Sequence, residues 1–481
     1  MTDYLRKTHH EFLAASEQAL ANGGLQRILG TLGDTLGQRN RDAFAALPNS
    51  SLIRERARTI KDVALAELHL HLETLERNVT ARGGQVHWAD DGAAACRAIV
   101  EICRRRAARV VVKSKSMTSE EIHLNEALDH AGIQTVETDL GEYIIQLAGH
   151  RPSHIVGPAV HLSAEQIAEI LSKPAGERLP AEREVLAGFA RKALRQKFAE
   201  ADVGISGVNV AIAETGSIVL VTNEGNGRLT CALPKCHIAL MGIEKVIPRL
   251  ADLPAFLKVL ARAATGQKLS VYTQIITGPR QPDELDGPDE LHLVILDNGR
   301  SRILGSPLRE SLFCIRCGAC LNACPIYRSV GGHSYGGVYA GPIGAVLTPL
   351  YDGLAANHHL PHVSSLCGAC QAACPVKIHI PDMLIQLREQ LHHEPGHKSR
   401  LESFAYRTWA RTLRIPWLYR LGTWLATRTI GRFKRRDPWL SRLPGKLHGW
   451  TEKRDFPAPA AERFRDWWNS DASREEGRDE S

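Results

Sequence analysis

Cysteines are the residues best placed to do chemistry, and seven of the eleven in this 481-residue chain lie in two short runs. The first, Cys314-Ile-Arg-Cys317-Gly-Ala-Cys320-Leu-Asn-Ala-Cys324-Pro325, has the C-x2-C-x2-C-x3-C-P spacing with which bacterial-type ferredoxins hold a cubane iron–sulfur cluster. Three thiolates at this spacing can wrap three corners of one small cluster. The fourth, turned aside by the proline that follows, reaches a neighbouring cluster instead. The second run, Cys367-Gly-Ala-Cys370-Gln-Ala-Ala-Cys374-Pro375, repeats the last three cysteines. Two clusters with crossed ligation are expected: Cys314, Cys317, Cys320 and Cys374 for one, Cys324, Cys367 and Cys370 for the other.

The second set is one thiolate short, because Ser364 stands where its first cysteine would be. Ser364, His362, solvent or a bound partner could supply the missing ligand, or the fourth iron could be absent. Two [4Fe–4S] clusters are expected, the second with a weak fourth ligand; a [3Fe–4S] species there is the alternative. Zinc also takes C-x2-C pairs, but it does not need a third cysteine and a fourth before proline, twice over. Disulfides are disfavoured for thiols packed this closely in a chain without a secretory signal.

Around these runs the elements fall into four expected regions. Residues 1–82 show apolar positions three and four apart (Ile60, Val63, Leu68, Leu72, Leu75) and read as helices, ended by Gly83-Gly84. Residues 83–305 alternate between strand and helix, which predicts an α/β domain with a mainly parallel sheet. Strands are expected at 85–88, 110–112, 133–136, 154–156, 208–212, 217–222, 237–241, 270–276 and 291–296. One helix should begin near Asp91, and another on a capping box at Thr118-Ser119-Glu120-Glu121 that stops at Gly132. Residues 306–395 should form a helical two-cluster ferredoxin domain, although the 42 residues between Cys324 and Cys367 exceed what compact ferredoxins use. Between them, Gly331-Gly332-His333-Ser334-Tyr335-Gly336-Gly337 would let backbone approach a cluster or a partner. Residues 396–481 form a basic, Trp-rich helical extension whose last residues, 470–481, read as a disordered tail.

In open α/β sheets, ligands bind beyond the carboxyl ends of the strands. Several loops there look suited to an anion: Lys113-Ser114-Lys115-Ser116, Thr222 to Arg228, Gly278-Pro279-Arg280 and Asp297-Asn298-Gly299-Arg300. Lys113, Lys115 and Arg228 are the candidate anion ligands, with Glu224 or His237 as a base if this domain handles substrate itself. Cys231 and Cys236 lack a second pair and read as structural, as do Cys96 and Cys103.

The formal net charge of +7 is unevenly placed, since residues 306–481 carry 24 Lys+Arg against 16 Asp+Glu. Residues 400–446 alone hold 12 against 2, interleaved with Trp409, Trp417, Tyr419, Trp424 and Trp439. Such a surface suits the inner face of a membrane or a partner subunit. No nucleic-acid motif accompanies it, and none of the chain reads as membrane-spanning or as a signal peptide. The expected location is cytoplasmic, with peripheral membrane contact as an extension of that reading.

Lys113-Ser114-Lys115-Ser116-Met117, Asp139-Leu140-Gly141-Glu142-Tyr143, Glu214-Thr215-Gly216-Ser217, Val221 to Asn226 and the cysteine block with Gly332-His333-Ser334-Tyr335-Gly336 together resemble the lactate utilization protein B family. So do Gly449-Trp450-Thr451-Glu452 and Phe464-Arg465-Asp466-Trp467-Trp468. The resemblance implies a lactate-utilization domain similar in fold to the sugar-isomerase and coenzyme A transferase class, joined to a double-cluster ferredoxin module and a family-specific C-terminal region. It further implies electron transfer during L-lactate oxidation to pyruvate, with companion lactate-utilization proteins as partners. No G-x-G-x-x-G fingerprint for a dinucleotide accompanies these motifs.

Overall fold

The computed structural model describes residues 7–394, 400–432, 439–443, 445–452, 454–458, 460 and 463–470. Contacts divide the chain between His392 and His393. Residues 1–6 and most of the expected C-terminal tail (471–481) lie outside the described residues.

The first unit opens with four helices, His9–Ala21, Gly23–Ala45, Ser50–Ala66 and Leu68–Ala81. The Asn22 side chain accepts from Leu25 N–H while its own N–H bonds back to Ala19 and Gln18 carbonyls, so one residue closes the first helix and opens the second. Ten strands follow in this unit: β1 (Gln85–Ala89), β2 (Val110–Lys113), β3 (Gln134–Glu137), β4 (Val203–Gly207), β5 (Val210–Ile212), β6 (Ser217–Thr222), β7 (Cys236–Gly242), β8 (Val246–Ile247), β9 (Tyr272–Ile276) and β10 (Glu290–Leu296).

Six of them form a wholly parallel sheet in the order β1-β10-β7-β4-β2-β3. All seven residues of β7 are buried, as a strand covered on both faces requires. The other four make a smaller sheet, β8-β5-β6-β9, in which β5, β6 and β9 pair antiparallel. Its β5–β6 turn uses Gly216 at φ +68°, a left-handed conformation that glycine adopts without steric cost.

The structure corrects three local expectations. No strand forms at 154–156: His154 Nδ1 accepts the N–H groups of Val156 and Gly157, at 3.0 and 3.2 Å, and holds a turn instead. The helix after β2 is capped by Ser116, not Thr118, with Ser116 Oγ accepting from Ser119 N–H at 3.2 Å. It breaks at His123 (φ 55°) before a second helix, Leu124–His130. β4, near the centre of the large sheet, has no counterpart among the expected strands, because Gly204, Ser206 and Gly207 dilute its apolar run. Gly204 is needed there, since a Cβ would sit 1.9 Å from the Thr230 carbonyl oxygen.

In the second unit, the helices Arg400–Arg414 and Pro416–Arg432 are followed by a two-residue antiparallel pairing of Trp439–Leu440 with Phe456–Pro457. Trp409, Trp417, Tyr419, Trp424 and Trp439 are all exposed. Among the described residues, no helix is long and apolar enough to cross a membrane.

Candidate iron–sulfur centre

The two cysteine runs build the same backbone twice, fifty positions apart. Arg316 and Leu366 (φ 59° and 56°) precede the equivalent cysteines Cys317 and Cys367, and Gly318 and Gly368 (φ 76° and 78°) follow them. Left-handed conformation costs an ordinary side chain roughly 1–2 kcal/mol, so Arg316 and Leu366 are held there by their surroundings. Short helices, Ala319–Ala323 and Ala369–Ala373, follow each glycine and pack against one another. The repeat thus carries its cysteines to one place from both sides.

Cys314, Cys317, Cys320 and Cys374 line a single cavity, whose apolar wall includes Ile155, Ile343, Ile378 and Ile380. Cys324, Cys367 and Cys370 form a second neighbourhood, in which Cys324 feels Cys367 and Cys370 feels both of the others. Cys370 also feeds the environment of Cys320, so the two sets adjoin. Backbone N–H groups point at sulfur, from Tyr327 to Cys324 at 3.5 Å and from Ile378 to Cys374 at 3.4 Å. Donors of this kind orient sulfur ligands and tune a bound metal.

Burial drives the thiol pKa values up, to about 11 at Cys374 and about 12 at Cys370. At neutral pH such thiols ionise only with a cation beside them, which is how iron binding displaces the proton. Cys367 differs. It is exposed, and hydrogen bonds from Ala369 N–H and the Ser365 hydroxyl lower its pKa. The donor set also argues against a single small ion. Among the described residues, no three of these seven sulfurs come within 4.8 Å of one another. Sulfurs around one tetrahedral zinc would be about 3.8 Å apart, for Zn–S bonds of about 2.3 Å. Wide spacing and a cysteine-lined cavity fit a polynuclear cluster.

A buried ionic network joins this region to the α/β sheet. The fully buried Arg300 bonds to Glu121 at 2.8 Å and to Glu244 at 2.7 Å, and Tyr339 donates to Glu121 at 2.6 Å. Arg316 lies over the Tyr339 ring at 4.3 Å and within 3.8 Å of Glu244. Lys61 and Lys245 complete the cationic side, and both feel Cys314. From the N-terminal helices, Arg54 donates to the carbonyls of Ala372 (2.7 Å) and Cys374 (2.5 Å).

Three family models match the chain: the LUD domain at residues 72–296, a 4Fe-4S dicluster domain at 310–378, and the C-terminal model of lactate utilisation protein B at 385–473. Lactate utilization protein B of Bacillus licheniformis is 44% identical over 470 residues, covering 98% of each chain. That of Geobacillus kaustophilus is 47% identical over 418 residues, or 87% of this chain and 88% of its own. The chain belongs to the lactate utilization protein B family. Iron–sulfur cofactors accordingly belong to its 310–378 segment. A crystal structure of a DUF162 family protein from Deinococcus radiodurans covers 48% of this chain and 98% of its own at 14% identity, with a TM-score of 0.27.

In this member of the lactate utilization protein B family the expected anion ligands are dispersed. Lys113 has no exposed surface, and its ammonium is held by Glu137 at 2.8 Å, Ser119 at 2.9 Å and Glu120 at 3.3 Å. Lys115 Nζ makes no hydrogen bond and lies 3.8 Å from Glu142, with Asp139 and Glu224 nearby. Carboxylates outnumber ammonium groups here, which opposes an anionic ligand. Burial pushes Glu142 up to about 8 and raises Glu224. Arg228 is exposed on the helix Asn226–Ala232. Arg280 pairs with Asp289 at 2.9 Å, and Arg300 is internal. His237 is fully buried, bonds to Ser206 at 2.8 Å, and is held by burial at about 4. The glycine-rich segment serves packing within the fold: a Cβ on Gly332 would lie 1.9 Å from the Ser153 carbonyl oxygen. Sequence reasoning missed Glu121, Glu244, Lys61, Tyr339 and Arg54, which come together only through contacts distant in the chain.

Proposed function

We propose that this protein is the iron–sulfur electron-transfer component of a system that oxidises L-lactate to pyruvate and so allows growth on L-lactate. The observation that carries the proposal is the pair of adjoining cysteine sets, one enclosed and one reaching the surface at Cys367. Cys314, Cys317, Cys320 and Cys374 would hold one [4Fe–4S] cluster, and Cys324, Cys367 and Cys370 the other. The fourth position of the second falls to a weak oxygen ligand. Ser364, on the loop that carries Cys367, is the candidate for it; its Oγ accepts from Leu366 N–H at 3.1 Å. His362 lies instead among Arg388, His358, His392 and His9.

A bound cluster supplies one-electron exchange. Lactate gives up two electrons and two protons, so companion lactate-utilization proteins must share the chemistry. What this chain's own residues do is enclose one thiolate set in apolar wall, orient sulfurs with backbone N–H groups, and expose the edge at Cys367 to a partner. Anaerobic protein mixed with its companions should develop a reduced-cluster paramagnetic signal on adding L-lactate, and the isolated chain should not. A signal of equal size from the isolated chain would move the oxidation into the α/β domain; none in the complete mixture would overturn the proposal.

The second unit suits peripheral contact with the anionic cytoplasmic face of the membrane, because exposed tryptophans there alternate with arginines. Vesicles containing phosphatidylserine should sediment the protein and release it as salt rises from 0.05 to 0.5 M, a range over which the screening length falls from above ~10 Å to well below it. Equal sedimentation with neutral vesicles would remove the electrostatic part of this reading.

A further inference from the structure

Away from the cysteine block, at the amino ends of the central strands, a second group of metal-type ligands converges. Cys236 is the first residue of β7 and Glu290 the first of β10, and the two stand opposite one another in register. His292, two residues along β10, shares the face of Glu290; its partner in register on β1 is Gln85, and the ring of His87, two residues further along β1 on the same face, reaches back to it. Donor atoms of Cys236, Glu290 and His292 all lie within 4.8 Å of one another. Cys236 and His292 are almost wholly buried, at 0% and 1% exposure.

The arrangement within this group has the form of a coordination sphere. His292 Nε2 is 3.2 Å from Glu290 Oε2. Two ligands on one tetrahedral ion with bonds of about 2.0 Å would be about 3.3 Å apart. The other nitrogen of the ring, Nδ1, is 3.0 Å from His87 Nε2, the kind of outer contact that fixes which imidazole nitrogen faces a metal. Arg106 Nη1 stands 3.4 Å from Glu290 Oε1, which leaves Oε2 directed at the group. Ordinary packing explains the burial of Cys236, but it does not require a thiol, a carboxylate and an imidazole with donor atoms this close.

We propose that Cys236 Sγ, Glu290 Oε2 and His292 Nε2 bind one zinc ion, with His87 orienting His292 and a water in the fourth position. Sulfur, nitrogen and oxygen donors in a three-ligand set suit zinc, whose filled d shell imposes no other geometry. The ion ties the amino ends of β7 and β10 together, and through His87 positions β1. It is separate from the iron–sulfur centre and takes no part in electron transfer, because zinc has no accessible second oxidation state.

The test is elemental analysis of the anaerobically purified full chain, dialysed against zinc ion alone and then against zinc-free buffer. About one zinc per chain should remain, in addition to the full iron content. Cys236→Ser and His292→Gln should each lose that zinc while keeping the iron, which reports that the rest of the protein is folded. His87→Gln, at a half-buried position less critical to folding, should weaken zinc binding by about 10- to 100-fold without abolishing it. Wild-type protein with full iron and no retained zinc overturns the proposal. So does zinc retained equally in Cys236→Ser, His292→Gln and His87→Gln, which would place the ion elsewhere.

Discussion

Cys374→Ala is expected to abolish the same paramagnetic signal that Cys314→Ala abolishes, while the signal lost in Cys367→Ala survives in both. Cys374 lies in the second run of sequence but lines the cavity of the first set, beside Cys314, Cys317 and Cys320. Intact protein should hold about eight irons, or about seven if the second cluster is a three-iron species, and each of these variants should drop to about half. Iron and acid-labile sulfide counts, with the two spectra, measure this directly. If Cys374→Ala removes only the signal that Cys367→Ala removes, the ligation is not crossed. Finding one or two zincs and no labile sulfide in the cysteine block would remove the iron–sulfur reading altogether.

Glu244→Gln should produce the largest loss of stability of any single change outside the cysteines. Glu244 is 1% exposed and faces Arg300 at 2.7 Å and Arg316 at 3.8 Å, with Lys61 and Lys245 close by. Burial opposes its charge, but Arg300 first, then Lys245, Arg316 and Lys61, overcome that and hold it at about 2. Breaking a buried pair by removing one partner costs about 3–5 kcal/mol, because the remaining cations are left without compensation. The pKa gives a figure of similar size. A fall from 4.5 to about 2 corresponds to roughly 3 kcal/mol. The sign follows from the direction of the shift. A carboxylate depressed in the folded state stabilises the fold above its unfolded pKa, and that contribution fades as pH falls through 4.5 toward 2. Urea titrations of the iron-loaded protein at pH 7 and at pH 4 or below should therefore show a gap between wild type and Glu244→Gln that narrows on acidification. A gap independent of pH would mean that Glu244 acts through packing alone.

How much of this could be read from the chain depends on how far apart the cooperating residues lie. The cysteine runs are legible because their spacing is local and their ligand chemistry is narrow, and Cys374 lines the cavity of the first set, the side to which the proline after it is expected to turn it. The strand and helix alternation is legible for the same reason, since β2, β7 and β10 are short apolar runs. Contacts across the fold are not. Arg300 resembles an anion-binding residue in its Asp-Asn-Gly-Arg turn, but Glu121 and Glu244, 179 and 56 positions away, occupy it. Lys113 is internal because Glu137 and Glu120 surround it, and nothing in Lys-Ser-Lys-Ser announces that. Cys236 looks like an isolated structural thiol until the register of β7 with β10 sets it opposite Glu290.

The brace between the N-terminal helices and the cysteine module has a bearing on how the protein is made. Arg54 bonds to carbonyl groups 318 and 320 residues further along the chain. At about 5–20 residues per second, a ribosome takes roughly 15 to 60 seconds to cover that distance. For that interval the first helices exist without the surface they are built to meet, and the cavity lined by Cys314, Cys317 and Cys320 lacks its fourth cysteine until Cys374 has been synthesised. The enclosed cysteine set is thus completed late in synthesis, and the interval for which the first helices wait for it lengthens as translation slows.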